Sequence, residues 1–115
     1  MDEKSVVIIC TSNGMGSTSE QALKDKLTRN FLTLIEQNET SPKAICFYTD
    51  GVKLACQGSP VLDQLRSLER KGVHLILCRT CLDYFGLLDK VEVGIVGGMG
   101  DIITAMWQAD TVITV

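Results

Sequence analysis

Two patterns of apolar positions alternate along this chain. Short stretches that are apolar throughout, such as Val6-Val7-Ile8-Ile9-Cys10 within residues 5–11, suit strands buried on both faces of a parallel sheet. Longer stretches repeat at helical spacing. Over residues 18–38 the apolar positions Leu23, Leu27, Phe31, Leu34 and Ile35 predict a helix. Pro42 forbids its continuation, and residues 43–49 read as a second strand. Ser59-Pro60 marks the next helix start, with Ser59 as cap and Pro60 at the first helical position, where its missing N–H costs nothing. Val61, Leu65 and Leu68 face inward along that helix, and Gly72 closes it. Residues 73–78 form a third strand. A short helix follows over residues 80–89, with Thr80 and Asp83 spaced as a capping box. Residues 91–96 are a fourth strand and residues 99–109 a helix that buries Met99, Ile102, Ile103 and Met106. Residues 111–115 are a fifth strand.

Strands alternating with helices predict an α/β fold. The expected architecture has three layers, with a five-stranded, mainly parallel sheet of order 2-1-3-4-5 and helices on both faces. No linker or repeat interrupts the pattern, so residues 1–115 read as one domain. In such sheets sites form at the carboxyl ends of the strands, here near the switch between strands 1 and 3. That edge carries residues 11–19, the loop over residues 50–59 and the turn from Cys78 to Cys81.

Composition narrows the picture. A chain of 115 residues that is 45% apolar can bury a core without metal or disulfide staples. A net charge of −3 with no block of like charges gives no general affinity for nucleic acid or an anionic membrane. Met1-Asp2-Glu3-Lys4 is acidic on balance, and the apolar run after it is too short for a signal peptide or a membrane span, so the cytoplasm is the expected location.

Five cysteines, odd in number and irregularly spaced, are expected in a reducing compartment to be free, metal-bound or catalytic. Cys46 and Cys10 read as small buried hydrophobes. The strongest signal is Cys78-Arg79-Thr80-Cys81, a Cys-x-x-Cys where a strand passes into a helix. Unsatisfied N–H groups at a helix start favour thiolate over thiol, and Arg79 adds a nearby cation. With Thr80 as the cap, Cys81 falls in the first turn and gains most; either cysteine can be the attacking thiol. The bland alternative is two cysteines that fill space at a sheet edge. A thioredoxin-like arrangement is disfavoured because Pro42 and Pro60 both precede the motif. A zinc site would need Cys10 or Cys56 to approach the pair; there is no second Cys-x-x-Cys, and His74 falls at the far end of its strand.

Two glycine-rich loops invite a second reading. Asn13-Gly14-Met15-Gly16-Ser17-Thr18 could cradle an anion, although it is neither a Walker loop nor a dinucleotide fingerprint, and it equally suits a tight turn with a helix cap. Gly97-Gly98-Met99-Gly100 offers an anion nest or close strand-to-helix packing. A pocket formed by Asp50, Gly51, Cys56 and Met99 is a further candidate. Val52, Leu54 and Ala55 make the loop after strand 2 unusually apolar, and together with a bare final strand they suggest self-association. The alternative to thiol chemistry is therefore a non-catalytic oligomeric module that binds an anion or a protein.

Several segments together resemble the DsrE/DsrF-type sulfur-relay domains, most nearly the carboxyl-terminal DsrE-like domain of YedF-type selenium-metabolism proteins. They are Phe47-Tyr48-Thr49-Asp50-Gly51-Val52-Lys53-Leu54, Gly58-Ser59-Pro60-Val61-Leu62-Asp63-Gln64-Leu65, Leu68-Glu69-Arg70-Lys71-Gly72-Val73, Cys78-Arg79-Thr80-Cys81-Leu82-Asp83-Tyr84-Phe85-Gly86-Leu87 and Val93-Gly94. The resemblance implies a compact, usually oligomeric α/β domain that carries sulfur as a persulfide on the cysteine at position 78, with no cofactor or metal. Donor and acceptor proteins would be its partners, and selenium could follow the same route. Arg79 stands where the family pattern has glycine. The small sulfur-carrier domain that normally precedes this one is not in the sequence, so a relay partner is expected as a separate chain.

Overall fold

In the computed structural model, which describes residues 4–115, the chain begins with β1 (Val6–Cys10), α1 (Gln21–Gln37) and β2 (Ala44–Phe47). A 3-10 segment over Thr49–Ala55 leads to α2 (Leu62–Arg70), β3 (His74–Cys78) and α3 (Arg79–Tyr84). A 3-10 turn at Leu88–Lys90, β4 (Ile95–Gly97), α4 (Met99–Gln108) and β5 (Thr111–Thr114) complete it. Met1, Asp2 and Glu3, read above as an acidic start, lie outside the described residues.

All four strand pairings are parallel, as the alternating pattern predicts. The strand order is β4-β3-β2-β1-β5, which corrects the expected 2-1-3-4-5. Three successive crossovers step the chain from β1 to β4 in one direction, and α1 and α2 pack side by side along that path. Only α4 carries the chain back, to place β5 on the free side of β1. The reversal therefore lies at β1, between β2 and β5. An apolar run records that a strand is interior, not which strands flank it.

The register divides the strands into two faces. Cys10 and Phe47 pack towards Thr28, Phe31 and Leu32 of α1 and Leu65 of α2. Val7, Ala44, Ile76 and Ile95 look the other way, towards Thr104, Ala105 and Gln108 of α4. Val7, Ile8, Ile9, Ile45, Phe47, Leu75 and Leu77 are all buried, which explains why these strands are apolar throughout. Val61, Leu65 and Leu68 are fully buried as expected. Gly72, at φ +97°, closes α2 while the Val73 N–H reaches back to the Leu68 carbonyl.

Several local expectations shift. Helix α2 starts at Leu62 rather than at Pro60, and Ser59 Oγ accepts from the Val61 N–H in a turn just before it. The buried stripe of α1 is Thr28 and Leu32, supported by Phe31 and Ile35; Leu23, Leu27 and Leu34 are exposed. On α4 only Ile102 is fully buried, Met106 packs partly, and Met99 and Ile103 face outward. One helix cannot cover a five-stranded face, so the α4 layer leaves apolar surface open. Strand β4 is shorter than expected, because Val91 instead forms an antiparallel bridge with Cys56. Among the described residues no helix is long and apolar enough to cross a membrane.

Candidate functional site

Cys78 ends β3 opposite Gly97 of β4 and is itself the residue that caps α3, at φ −69° and ψ 117°. Thr80 is thus the second helical residue, exposed and without a capping role, which corrects the expected capping box. The short strand-to-helix passage leaves Cys81 in the first turn of α3, beside Cys78, whose side chain acts on the Cys81 thiol. Burial separates the two: Cys78 is only 2% exposed, whereas Cys81 is partly open to solvent.

A second element reaches the pair from β2. After Phe47 the chain turns sharply at Thr49, the one non-glycine residue with positive φ (+49°) among the described residues. Such a backbone costs of order 1 kcal/mol or more and persists only where surrounding contacts enforce it. Here the Thr49 hydroxyl is held 2.5 Å from the Thr11 carbonyl and 2.7 Å from that of Tyr48. The turn aims the Thr49 N–H at Cys81 Sγ, 3.1 Å away. Gly51 makes the turn possible, since a Cβ there would lie 2.0 Å from the Cys10 carbonyl oxygen.

The electrostatics run against the sequence expectation of a depressed thiol pKa. Burial raises the pKa of Cys81, with Cys78 and the Asp50 carboxylate adding to the rise; the Thr49 N–H opposes them. Arg79 is exposed and forms no ion pair among the described residues. Helix α3 spans only six residues, so its dipole is small beside the desolvation. Asp50 is engaged by Lys53 at 2.7 Å, and the same ammonium stands 4.4 Å from the centre of the Phe85 ring. Phe85, one turn beyond Cys81, packs edge-on against the exposed Tyr84.

Lys53 and Phe85 also border a cleft of about 510 Å³ lined by Asn13, Gln21, Cys56, Ser59 and Leu87 among others. The structure thus gathers Cys78, Cys81, Asp50, Cys56 and Asn13 at one edge, together with Thr49, Lys53 and Phe85, which the sequence reading did not single out. Their signal lay in the segment from Phe47 to Leu54, but nothing local indicates that an amide there meets a thiol more than 30 residues away. Cys56 is buried, donates to the Val52 carbonyl, and has its pKa raised by burial and by Glu92. Met99 opens α4 half-exposed and does not line this cleft.

The glycine loops have structural duties. Gly14, at φ +108°, packs against Lys24, and the Met15 N–H donates to Thr28 Oγ1. Gly16 and Ser17 continue an exposed turn, and α1 begins only at Gln21. At the second loop Asp101 Oδ2 already accepts from the Gly98 N–H at 2.8 Å, so the chain's own carboxylate fills that nest. Gly97 allows close packing on Ile76. Cys10 and Cys46 are buried as expected. Among the described residues no three His, Cys, Asp or Glu side chains converge as metal ligands. A second, more apolar cleft of about 480 Å³ lies at the strand starts, beside Ser5, Lys43 and His74, at the opposite edge from the thiols.

Solved structures share this fold. The YchN protein from E. coli superposes with a TM-score of 0.73 at 22% identity, covering 98% of this chain and 100% of that one. MTH1491 from Methanobacterium thermoautotrophicum, a protein of unknown function, gives 0.68 at 20% identity over 98% and 100%. BT1422 from Bacteroides thetaiotaomicron, also of unknown function, gives 0.68 at 14% identity over 96% and 95%. At these identities the likeness concerns the fold. Among curated proteins none matches the chain. The family model that describes the DsrE/DsrF-like proteins matches residues 4–115, almost every position, and the chain therefore belongs to the DsrE/DsrF-like family, which is associated in general with sulfur relay.

Proposed function

We propose that this protein is a sulfurtransferase-like carrier that holds sulfur, or selenium, as a persulfide on the Cys-x-x-Cys pair and passes it to a partner thiol. The observation that carries the reading is the pairing of a solvent-reachable Cys81 with a fixed N–H donor, Thr49, at 3.1 Å from its sulfur. A thiolate at Cys81 attacks the outer sulfur of a donor persulfide; a new S–S bond forms and the donor leaves as a thiolate. The Thr49 N–H then serves the sulfur of the adduct, and an acceptor thiolate removes the outer sulfur by the same exchange. Cys81, rather than Cys78, is the entry point because a donor cannot reach a thiol that is 2% exposed. The cleft beside Lys53 and Phe85 is the docking place for the donor or acceptor.

Intact mass after treating the reduced protein with glutathione persulfide tests this. Cys78→Ala is expected to gain one sulfur and Cys81→Ala none. Folded Cys78→Ala that gains no sulfur on any cysteine would overturn the carrier and favour the non-catalytic binding module.

We further infer that the carrier works as a homo-oligomer. Ile95, Ile103, Trp107 and Val112 stand exposed around α4 and the sheet it only partly covers, with Trp107 at 81%. A second copy covering this face would leave the thiol edge free.

A further inference from the structure

Resting on the carrier reading, we propose that the Cys78–Cys81 pair also discharges its own cargo, reducing bound sulfane sulfur to hydrosulfide. Three observations carry this. Cys78 and Cys81 are neighbours at the first turn of α3, close enough for the Cys78 side chain to act on the Cys81 thiol. Their burial is unequal, so Cys81 meets external donors whereas Cys78 meets only what Cys81 carries. The spacing, with Cys78 capping α3 and Cys81 in its first turn, places the Cα atoms three residues apart on one helical turn, within the range a disulfide spans.

Once Cys81 holds a deprotonated persulfide, the Cys78 sulfur attacks Cys81 Sγ, its neighbour on the same turn. The Cys78–Cys81 bond forms as the bond to the outer sulfur breaks. The Cys78 thiol proton ends on the departing sulfur, which leaves as HS⁻, so charge and hydrogen balance. The two cysteines are oxidised to a disulfide and the sulfane sulfur is reduced. Hydrosulfide is a competent leaving group because its conjugate acid is weak but not very weak. Two equivalents of a cellular thiol, or one dithiol, restore the pair and become a disulfide themselves. With selenium as cargo the product is hydroselenide. The lifetime of the loaded state is thus a competition between an acceptor arriving at the outer sulfur and Cys78 attacking the inner one.

The test loads reduced protein with glutathione persulfide, removes excess donor by rapid desalting, and follows intact mass together with released sulfide. The wild type is expected to lose its sulfur adduct and then stand two hydrogens lighter than the reduced protein, with one sulfide released per disulfide formed. Peptide mapping should place that disulfide between Cys78 and Cys81. Cys78→Ser and Cys78→Ala should keep the adduct and release no sulfide. A wild type that holds its adduct as long as these variants, with no sulfide, overturns the discharge and leaves the carrier standing. Disulfide without matching sulfide also overturns it, since that marks direct oxidation. Absence of any adduct in the folded wild type and in both Cys78 variants, with no sulfide released, overturns the carrier reading and the discharge with it. The wild-type stoichiometry decides the question even if both variants fold poorly.

Discussion

The Thr49 amide and the Cys81 thiol, 32 positions apart in the chain, meet at 3.1 Å because a left-handed turn after β2 points one N–H at the first turn of α3. A single donor of this kind contributes about 1 kcal/mol to a neutral partner and roughly twice that to a charged one. It therefore favours the thiolate and the persulfide anion over the thiol, while burial and Asp50 favour the thiol.

That balance sets the reactivity of Cys81. Because its pKa is raised, the thiolate fraction is small at neutral pH and grows as pH climbs through and beyond 9.0. Iodoacetamide labelling of the native protein is expected to modify Cys81 first and to accelerate steadily with pH. A rate that has already levelled off at neutral pH would show that the thiolate is stabilised more strongly than the geometry allows. Cys10, Cys46 and Cys78, all buried, should label only after denaturation.

Thr49 combines strain with anchoring, and substitution separates the two. Thr49→Gly relieves the positive φ but loses the hydroxyl contact to the Thr11 carbonyl, two effects of about 1 kcal/mol and opposite sign. Its stability should stay near wild type. Thr49→Val keeps a β-branched residue in the left-handed region without the anchor and should lose about 1 to 3 kcal/mol. Urea denaturation midpoints check both. If Thr49 also positions the N–H, the pH profile of Cys81 labelling shifts in the valine variant as well.

Two glycines provide an opposed pair. Gly51→Ala would drive a Cβ to 2.0 Å from the Cys10 carbonyl oxygen, and a loss of about 3 kcal/mol or more is expected. At Gly100, inside α4, an added Cβ would meet open space, with no neighbour within 4 Å, so Gly100→Ala should gain about 0.5 to 1 kcal/mol. Similar denaturation curves for the two variants would contradict the close approach of the turn to β1.

Buried thiols give stability an alkaline limit. Burial, reinforced by Cys46, pushes Cys10 up to about 12, and burial pushes Cys46 up to about 11, from an ordinary value of 9.0. Between those values the unfolded chain has released protons that the native state still binds, so stability falls as pH rises. The contribution is complete below about pH 9 and is lost progressively towards pH 11 to 12. Unfolding midpoints measured from pH 8 upward should decline more steeply in the wild type than in Cys10→Ala. Equal slopes would mean that Cys10 is not held protonated by the fold.

The open α4 face makes the oligomer testable. Trp107→Lys and Ile103→Glu place charge on exposed positions, so the fold should survive within about 0.5 kcal/mol, while the mass measured by light scattering drops to that of one chain. A wild type that is monomeric at high concentration would sink the proposal outright.

Much of the local structure is legible from the residues alone. Continuous apolar runs locate β1, β2 and β3, because burial on both faces leaves no place for a polar side chain. The end of β3 at Cys78 and the closing turn at Gly72 are equally readable. Helix starts are less so. Ser59-Pro60 and Thr80 have the chemistry of caps, yet the helices begin at Leu62 and Arg79, because the preceding turn and strand fix where the chain can first coil. The stripe on α1 departs from its pattern for a related reason: leucines at 23, 27 and 34 share helical spacing, but Thr28 and Leu32 are the residues that face the sheet.

From the amino-acid order alone come the parallel α/β class, the five strands and the placement of the cysteine pair at a strand-to-helix passage, since these depend on short-range periodicity. Tertiary structure decided the rest. It chose the order β4-β3-β2-β1-β5, because periodicity says nothing of where the crossovers reverse. It buried Cys78 and left Cys81 reachable, and it brought Thr49, Asp50, Lys53 and Phe85 beside them. It also turned the expected depression of the thiol pKa into a rise, because desolvation is set by everything that packs around a group and not by its neighbours in the chain.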